Sequence, residues 1–432
     1  MKQLKYITVI SCALAFAAGC KQAELPDVKP TTVGISVKYD AAFGGAPAQG
    51  IEVQFKDVTS GNIYVEKTDN AGALQFHRVP PGTYDISASI HMSAEEVLAF
   101  SGILLPDSAI FNATVTNRRI TASASFVEMV LKTGRSGDLI FKQLYYCGSS
   151  IQKGAGFRDQ FVEIYNNSAD TLYADGLCFA QLEGNVSSAL PNPRPPYMLE
   201  DGRYNWQHSI GMPADINANE DFVYTKSVFQ FPGSGKQYPV APGKSIILAQ
   251  NAQNHKAPYT NPNGTVVTPE DPSLTVDLSH AEFEVFYGEG FASDVNNPEV
   301  TDMINFQKAG RDMVLDIMGR DAFVLFRMPQ PFNKYPNPQA TVINNTTSFH
   351  FQVPDSLVLD AVECLHFTPA RRGPKKLNAK LDAGFVNVLN QYSSQALVRK
   401  QLRTVDGRII LQDTNNSTAD FQLINPPKPK EF

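Results

Sequence analysis

Apolar and polar residues alternate with a period of two along most of the chain, a pattern that predicts β-strands. The alternation is clear in "GISVKY" at 34–39, in "IEVQFKDV" at 51–58 and in "FVEIYN" at 161–166. Short clusters of Gly, Pro, Asn and Asp separate such runs and favour turns. A short helix is predicted at 93–100, "SAEEVLAF". The pattern as a whole predicts an all-β fold.

The stretch "FVEIYNNSADTLYADGLCFA", at 161–180, predicts a reversal of the chain. Its first β-type run ends in the polar cluster 166–170, and a second run begins at Leu172. Asn and Asp tolerate positive φ and bond their own backbone, so this cluster is typical of a turn. We therefore expect a β-hairpin, with Asn residues that serve the turn rather than a ligand.

Residues 1–19 have the pattern of a secretory signal peptide. Lys2 and Lys5 precede the apolar run "YITVISCALAFAA", which is short for a membrane-spanning helix. The run ends in "AAGC", which resembles the lipobox of bacterial lipoproteins and implies cleavage before Cys20 and lipidation of that residue. A lipid on Cys20 would anchor the chain to a membrane. The alternative is an ordinary signal peptide followed by a chance cysteine.

The segment after the predicted lipid has the composition of a tether. Residues 20–32 are polar and contain two prolines, so we expect an extended, mobile chain. The "QAE" at 22–24 resembles the short export signals of surface lipoproteins of the Bacteroidota type. This resemblance implies a cell-surface location.

Composition and charge narrow the classes of protein further. The 432 residues suffice for two or three domains, and 43% hydrophobic with 19% charged residues is typical of a globular chain. The 27 Phe and 16 Tyr favour strands over helices. A net charge of −6 argues against nucleic acid as a partner.

A first domain is predicted at 33–132. The turns "TDNAG" at 68–72 and "VPPGTY" at 79–84 are each followed by a new β-type run. This spacing resembles the carboxypeptidase-regulatory-like, prealbumin-type β-sandwich. The resemblance implies a spacer or adhesion module without chemistry of its own. The Gly-containing stretch "KTGRSGD" at 132–138 suits a linker after it.

A second domain is predicted at 138–432, where five motifs resemble the lamin-tail domain, an immunoglobulin-like sandwich. They are "FVEIYN" at 161–166, "PGKSIILA" at 242–249, "DAV" at 360–362, "VR" at 398–399 and "DTNNSTADF" at 413–421. Long insertions interrupt the pattern at about 183–239, 256–315, 329–346 and 367–395. The whole arrangement is similar to a family of uncharacterised Bacteroidota outer-membrane lipoproteins, which implies a fold and a location rather than an activity.

Motifs of catalysis are missing from the sequence. It contains no HExxH, GxSxG, Walker A or complete GxGxxG pattern, so no catalytic residue, cofactor or metal site is predicted. His350, Glu363, Cys364 and His366 could meet on adjacent strands, but strand alternation places Glu363 on the opposite face. The oxygen-rich loop 293–302 suits either Ca²⁺ or a solvated turn, and it lacks the EF-hand order.

The remaining cysteines of the predicted mature chain leave two arrangements open. Besides Cys20 they are Cys147, Cys178 and Cys364, which allow at most one intrachain disulfide. Buried unpaired thiols in strands are the simpler interpretation.

A binding surface is predicted in the insertion 185–224, which contains the single tryptophan of the chain. Trp, Tyr and Arg are the residues most enriched in binding hot spots, and loops on a rigid scaffold commonly carry function. The predicted binding residues are Arg194, Tyr197, Arg203, Tyr204 and Trp206. The alternative is that the aromatic residues only pack this long loop onto the sandwich.

Three short patterns resemble the O-glycosylation sequon of exported Bacteroidota proteins. Each is Asp followed by Ser or Thr and a small or aliphatic residue. The predicted acceptors are Ser108, Thr171 and Ser356.

The sequence thus favours a non-enzymatic, surface-exposed outer-membrane lipoprotein. The predicted role is that of an accessory or binding subunit of an outer-membrane β-barrel complex, in particular one for TonB-dependent nutrient uptake. Expected partners are the membrane, through the lipid, and a β-barrel protein or other surface lipoproteins; the small ligand is not indicated. The alternatives are a structural, adhesion or barrel-assembly component of the envelope, and a hydrolase with a site built from distant loops.

Overall fold

The computed structural model of the protein describes most of the chain. The described residues are 30–40, 43–101, 109–121, 125–133, 138–288, 290–328, 331–405 and 407–432. The predicted signal peptide, Cys20 and most of the predicted tether lie outside them. The described part is almost entirely strands and turns, so the predicted all-β class is confirmed.

Seven strands and one helix form the first part of the fold. They are β1 (Thr31–Tyr39), β2 (Glu52–Asp57), β3 (Ile63–Lys67), β4 (Ala73–Val79), β5 (Gly82–Met92), α1 (Ala94–Ser101), β6 (Ala109–Ile120) and β7 (Phe126–Thr133). The strand order is β3-β2-β5-β6-β7-β1-β4. Residues of β1 and of β2, which lie far apart in this order, share one hydrophobic core. The sheet therefore folds over itself around that core.

Helix α1 begins with a capping box, which the predicted helical stretch contains. The Ser93 hydroxyl accepts a hydrogen bond from the Glu96 N–H at 3.2 Å, and the Glu96 carboxylate accepts one from the Ser93 N–H at 2.7 Å. The other helical segments are α2 (Ser417–Asp420) and the 3₁₀ turns Trp206–His208, Pro272–Leu274, Asp355–Leu357 and Pro369–Arg371. None of the helices in the described ranges has the length and apolar character needed to cross a membrane.

Twenty further strands form the rest of the fold. They are β8 (Leu139–Tyr145), β9 (Phe161–Asn166), β10 (Leu172–Tyr173), β11 (Leu177–Leu182), β12 (Phe222–Gln230), β13 (Pro239–Val240), β14 (Ser245–Ala249), β15 (Tyr259–Thr260), β16 (Val266–Val267), β17 (Phe283–Glu284), β18 (Thr301–Asp302), β19 (Ile304–Gln307), β20 (Ala322–Arg327), β21 (Lys334–Pro336), β22 (Phe349–Pro354), β23 (Val358–Glu363), β24 (Ala396–Arg399), β25 (Gln401–Val405), β26 (Arg408–Leu411) and β27 (Phe421–Ile424).

Two seven-stranded sheets build the second sandwich. One has the order β21-β22-β12-β11-β20-β23 with β19 beside β12, and the other has the order β18-β17-β14-β9-β8-β24-β27. Phe179 and Phe323 of the first sheet share a core with Phe141 and Ile164 of the second. β12 is an interior strand although it lies within 183–239, the first predicted insertion. The predicted domain and insertion boundaries stay a prediction.

The hairpin predicted at 161–180 is wrong. β9 pairs with β8 and β14, whereas β11 pairs with β12 and β20 in the opposite sheet. All six residues of β9 are buried, because its second face also is covered. There the Glu163 carboxylate pairs with the Lys142 ammonium at 2.9 Å and accepts the Ser245 hydroxyl. The chain therefore crosses between the sheets at this turn.

The two asparagines of the turn have structural roles, as the sequence predicts for them. The Asn166 side chain donates to the carbonyls of Asp170 and Val240, both at 2.7 Å. The Asn167 side chain donates to the Leu411 carbonyl at 3.1 Å and accepts from the Leu411 N–H at 2.8 Å. Asn167 thus pairs with β26 as a strand backbone would, and it ties the crossing to the C-terminal region.

Replacing Asn167 with alanine is expected to lower the free energy of unfolding by about 1–3 kcal/mol, because both backbone groups of Leu411 lose their partner. Urea unfolding followed by the fluorescence of Trp206 measures this. Asn263→Ala is the matched control, since the Asn263 side chain accepts only from Thr265 N–H within an exposed turn. Equal losses for the two variants would contradict the assigned role.

A buried arginine joins the motifs that resemble the lamin-tail domain. The side chain of Arg399 is 1% exposed and lies 2.6 Å from the carboxylate of Asp360, 3.1 Å from that of Asp413 and 3.5 Å from that of Asp420. Its Nε donates to the Phe141 carbonyl at 2.8 Å. One cation therefore holds β8, β23, β24 and the C-terminal segment together.

Candidate functional site

The tryptophan of the predicted binding segment is part of a small core. Trp206 is 6% exposed, and its ring stacks on that of Tyr224 with 3.7 Å between centroids and 7° between planes. Tyr335 belongs to the same cluster, and Tyr204 packs against it. Trp206 thus fastens the loop to β12 and β21, as the packing alternative describes. Binding at Trp206 stays untested.

Arg203 lies at the junction of the two sandwiches. Its guanidinium pairs with the carboxylates of Asp201 at 2.7 Å and of Glu220 at 3.3 Å. Glu220 also accepts the ammonium of Lys132, from β7 of the first sandwich, at 2.7 Å. Burial alone would raise the pKa of Glu220, but the pairs with Lys132 and Arg203 lower it. Glu220 therefore stays ionised and links the two sandwiches.

A cleft of about 300 Å³ opens beside this ion network. One wall comes from β6 and β7 of the first sandwich, and the other comes from the loops around Arg203 and around 374–379 of the second. The groups on which its chemistry depends are those of Thr114, Lys132, Arg203, Glu220, Lys375 and Asn378. The cleft thus brings polar side chains of both sandwiches together at the surface.

The charges that line the cleft are already paired within the protein. Glu128 pairs with Lys38 at 2.6 Å, and the Lys375 ammonium donates to the Asp382 carbonyl. Burial lowers the pKa of Lys375. The Thr114 hydroxyl, in contrast, is buried without a hydrogen-bond partner. The cleft therefore offers hydrogen bonding without excess charge of one sign, which suits a neutral polar ligand or a polar loop of another protein.

The other predicted binding residues lie apart from the cleft. The Arg194 guanidinium donates to the Glu200 carbonyl at 3.4 Å and lines an open groove of about 390 Å³ together with Arg119. Tyr197 is half-buried, and Tyr204 is half-buried against the small core. The structure thus brings Arg203 to the cleft and groups Arg203, Tyr204 and Trp206 around a smaller pocket of about 30 Å³, whereas Arg194 lines neither.

The strand residues weighed as metal ligands do not converge. His350 contacts the Thr225 carbonyl at 2.7 Å, while Glu363 accepts the Leu377 N–H and His366 accepts a backbone N–H of its own turn. Within the described ranges no group of three His, Cys, Asp or Glu side chains is arranged for a metal ion.

The three cysteines are free and buried, as the simpler interpretation holds. Burial raises the pKa of each thiol, that of Cys178 to about 12. Thiols of this kind stay protonated at neutral pH and are poor nucleophiles.

The predicted modification sites divide between described and undescribed residues. Thr171 and Ser356 are exposed on the second sandwich, where an enzyme could reach them. Ser108 and the lipidation site Cys20 lie outside the described residues. Their modification stays a prediction.

Of the predicted binding residues, Arg203 lines the cleft. Lys132, Glu220 and Lys375 come from segments about 90 and 150 positions apart, and they are not among the predicted binding residues. Only the pairing of β6 and β7 against the second sandwich brings them together, and no local pattern in the sequence signals it.

Comparison with known proteins finds one family model and several solved bacterial structures that are similar to this chain. Residues 241–428 match the family model described as "Protein of unknown function (DUF4876)". The crystal structure of a DUF4876 family protein from Bacteroides thetaiotaomicron is similar at 26% identity with a TM-score of 0.52, covering 91% of this chain and 95% of that chain. That match spans both sandwiches. No curated protein sequence matches the chain.

Two further solved structures resemble smaller or looser parts of the fold. A candidate carbohydrate-binding protein from Pseudomonas aeruginosa matches at 17% identity and a TM-score of 0.18, over 25% of this chain and 92% of that one. A candidate adhesin from Bacteroides ovatus matches at 9% identity and a TM-score of 0.20, over 79% of this chain and 90% of that one. TM-scores this low support no assignment of function.

Proposed function

We propose that this chain is a non-enzymatic, lipid-anchored binding protein of the outer membrane. It acts as an accessory subunit of a β-barrel complex, in particular a TonB-dependent nutrient transporter. The observation that carries the proposal is the polar cleft between the two sandwiches, whose walls are fixed by the Lys132–Glu220–Arg203 network. A cleft fixed in this way is preorganised, so little ordering opposes binding.

The proposed anchor sets the distance of the cleft from the membrane. The segment from Cys20 to the start of β1 at Thr31 spans about 40 Å when fully extended. A lipid at Cys20 would then hold the first sandwich within reach of the outer loops of a membrane β-barrel. The proposal thus assigns the first sandwich to spacing and the junction of both sandwiches to contact.

Filling the cleft is expected to abolish partner binding without unfolding the protein. Thr116 lies on the cleft wall, so Thr116→Trp should occlude it. We expect at least a tenfold loss of the proteins that co-purify with the tagged full-length chain from native membranes in mild detergent. Mass spectrometry quantifies them, and circular dichroism reports folding.

Thr404→Trp, on the exposed strand β25, is the matched control and should retain every partner. Undiminished co-purification with a folded Thr116→Trp variant would exclude the cleft as the contact site.

A further inference from the structure

Four loops meet where β9 begins and β14 ends, at one end of the second sandwich. This loop junction is distinct from the junction between the two sandwiches. The Gln250 N–H donates to the Gln160 carbonyl at 3.0 Å, and the Leu315 N–H donates to the Gln160 side chain at 2.9 Å. The Val295 N–H donates to the Asn251 side chain at 2.8 Å. These bonds fix the loops relative to one another, and none of the residues involved lines the cleft of the proposed binding function.

Two buried carboxylates lie within this junction. Asp294 is 1% exposed and Asp312 is 4% exposed. One oxygen of Asp312 accepts from the Gln250 side-chain amide at 3.1 Å and from the hydroxyl of Ser293 at 3.0 Å, and Ser293 directly precedes Asp294. One oxygen of Asp294 accepts the Tyr287 N–H at 2.9 Å.

Three oxygens at the junction have no hydrogen-bond partner. They are Oδ1 of Asp294, Oδ1 of Asp312 and Oε1 of Gln250, a side chain that is fully buried. All three are acceptors, and burying an acceptor without a partner is costly, most of all when it belongs to a charged group. A bound cation or a further hydrogen-bond donor would satisfy these three oxygens.

Nearby cations supply little of that positive charge. The Lys308 ammonium donates to the Tyr287 carbonyl at 2.9 Å. The buried Nε of Arg158 has no hydrogen-bond partner, so it does not bond any of the three oxygens. Burial and, secondarily, the charge of Asp312 raise the pKa of Asp294 to about 7, and burial raises that of Asp312 to about 6.

We propose that Asp294, Asp312 and the side-chain oxygen of Gln250 bind a divalent cation of the calcium type. Ca²⁺ takes carboxylate and amide oxygens in flexible geometry and completes its shell with water. Two carboxylates balance its charge, and the junction offers neither thiolate nor imidazole to select zinc through these three residues. With two acidic ligands the site belongs to the weak class, with a dissociation constant on the order of 10⁻⁴–10⁻³ M.

Calorimetric titration of the full-length chain in mild detergent, stripped with EDTA, with CaCl₂ is the first test. We expect one saturable site at pH 8. Absence of binding to the wild type at pH 8 overturns the proposal, whatever the variants do.

Variants then locate the site. At about 5 mM CaCl₂, above the expected dissociation constant, we expect the midpoint of thermal unfolding of the wild type to rise by about 2–5 °C. Asp294→Asn and Asp312→Asn should lose this rise, while Asp302→Asn, an exposed residue after the same loop, should keep it.

Calcium should also reverse the order of the unfolding midpoints of the wild type and the two variants. Without calcium, Asp294→Asn and Asp312→Asn are expected to unfold at or above the midpoint of the wild type, because each removes a buried charge. With calcium the order reverses. A calcium-dependent rise that persists in both variants would mean that the ion binds elsewhere, and a junction filled by bridging water alone would give no rise in any protein.

Discussion

Replacing Arg399 with alanine is expected to lower the free energy of unfolding by about 3–5 kcal/mol, the loss typical of breaking a buried ion pair from one side. The substitution leaves the carboxylates of Asp360, Asp413 and Asp420 without their shared cation. It also removes the bond to the Phe141 carbonyl. Urea unfolding followed by the fluorescence of Trp206, which lies in the second sandwich, measures the loss.

Two further arginine variants make this expectation specific. Arg403→Ala, on the exposed strand β25, is the matched control and should change stability by less than about 0.5 kcal/mol. Arg399→Lys keeps the charge, but its ammonium cannot span three carboxylates as the planar guanidinium does. Its free energy of unfolding should therefore lie between those of Arg399→Ala and Arg403→Ala. If Arg399→Ala were no less stable than Arg403→Ala, the arginine would not be the link between the strands.

Stability is expected to fall by several kcal/mol as the pH rises from 5 to 8 in the absence of divalent cations. Burial raises the pKa of Asp159, of Glu284 and of Asp294 to about 7 each, and that of Asp312 to about 6. Each unit between the folded and the unfolded pKa is worth about 1.4 kcal/mol. A raised carboxyl pKa stabilises the fold fully below the unfolded value near 4, and this contribution is lost as the pH rises through 6–7.

One histidine opposes this trend over part of the range. Burial lowers the pKa of His255 to about 4, so below about 6.5 the unfolded chain binds a proton that the folded chain does not. A single histidine offsets only part of the effect of four carboxyls. Asp159→Asn should flatten the curve and Asp170→Asn, on the exposed turn, should not. A free energy of unfolding that rises from pH 5 to pH 8 would contradict the prediction, because buried carboxyls that become charged must destabilise the fold over this range.

Local sequence patterns predicted the fold class and two local features. Alternation and turn chemistry indicated an all-β chain, and the capping box of Ser93 and Glu96 lies in the stretch predicted as a helix. The structural role of the turn asparagines also follows from their residue type. These features depend on neighbours a few positions apart, which is why the sequence shows them.

Features that depend on distant contacts were not predictable in the same way. β9 is buried on both faces, and the chain crosses to the other sheet after it instead of forming the expected hairpin. This burial depends on Lys142, which pairs with Glu163, and on the segments that cover the second face. The sequence of β9 itself does not show it. The partners of Arg399 are spread over sixty positions, although each belongs to a recognised motif. The cleft combines side chains from both sandwiches. Asp201, Arg203 and Glu220 come from the segment 185–224 with a binding-type composition, and Arg203 alone among them is a predicted binding residue.

The proposed function requires that the chain binds a β-barrel protein of the membrane. Purification of the tagged full-length protein from native membranes in mild detergent, with its partners identified and quantified by mass spectrometry, tests this requirement directly. We expect one β-barrel transporter in an amount about equal to that of the tagged chain. Recovery of the protein alone, or only with envelope-assembly components, would contradict that claim and favour a structural role.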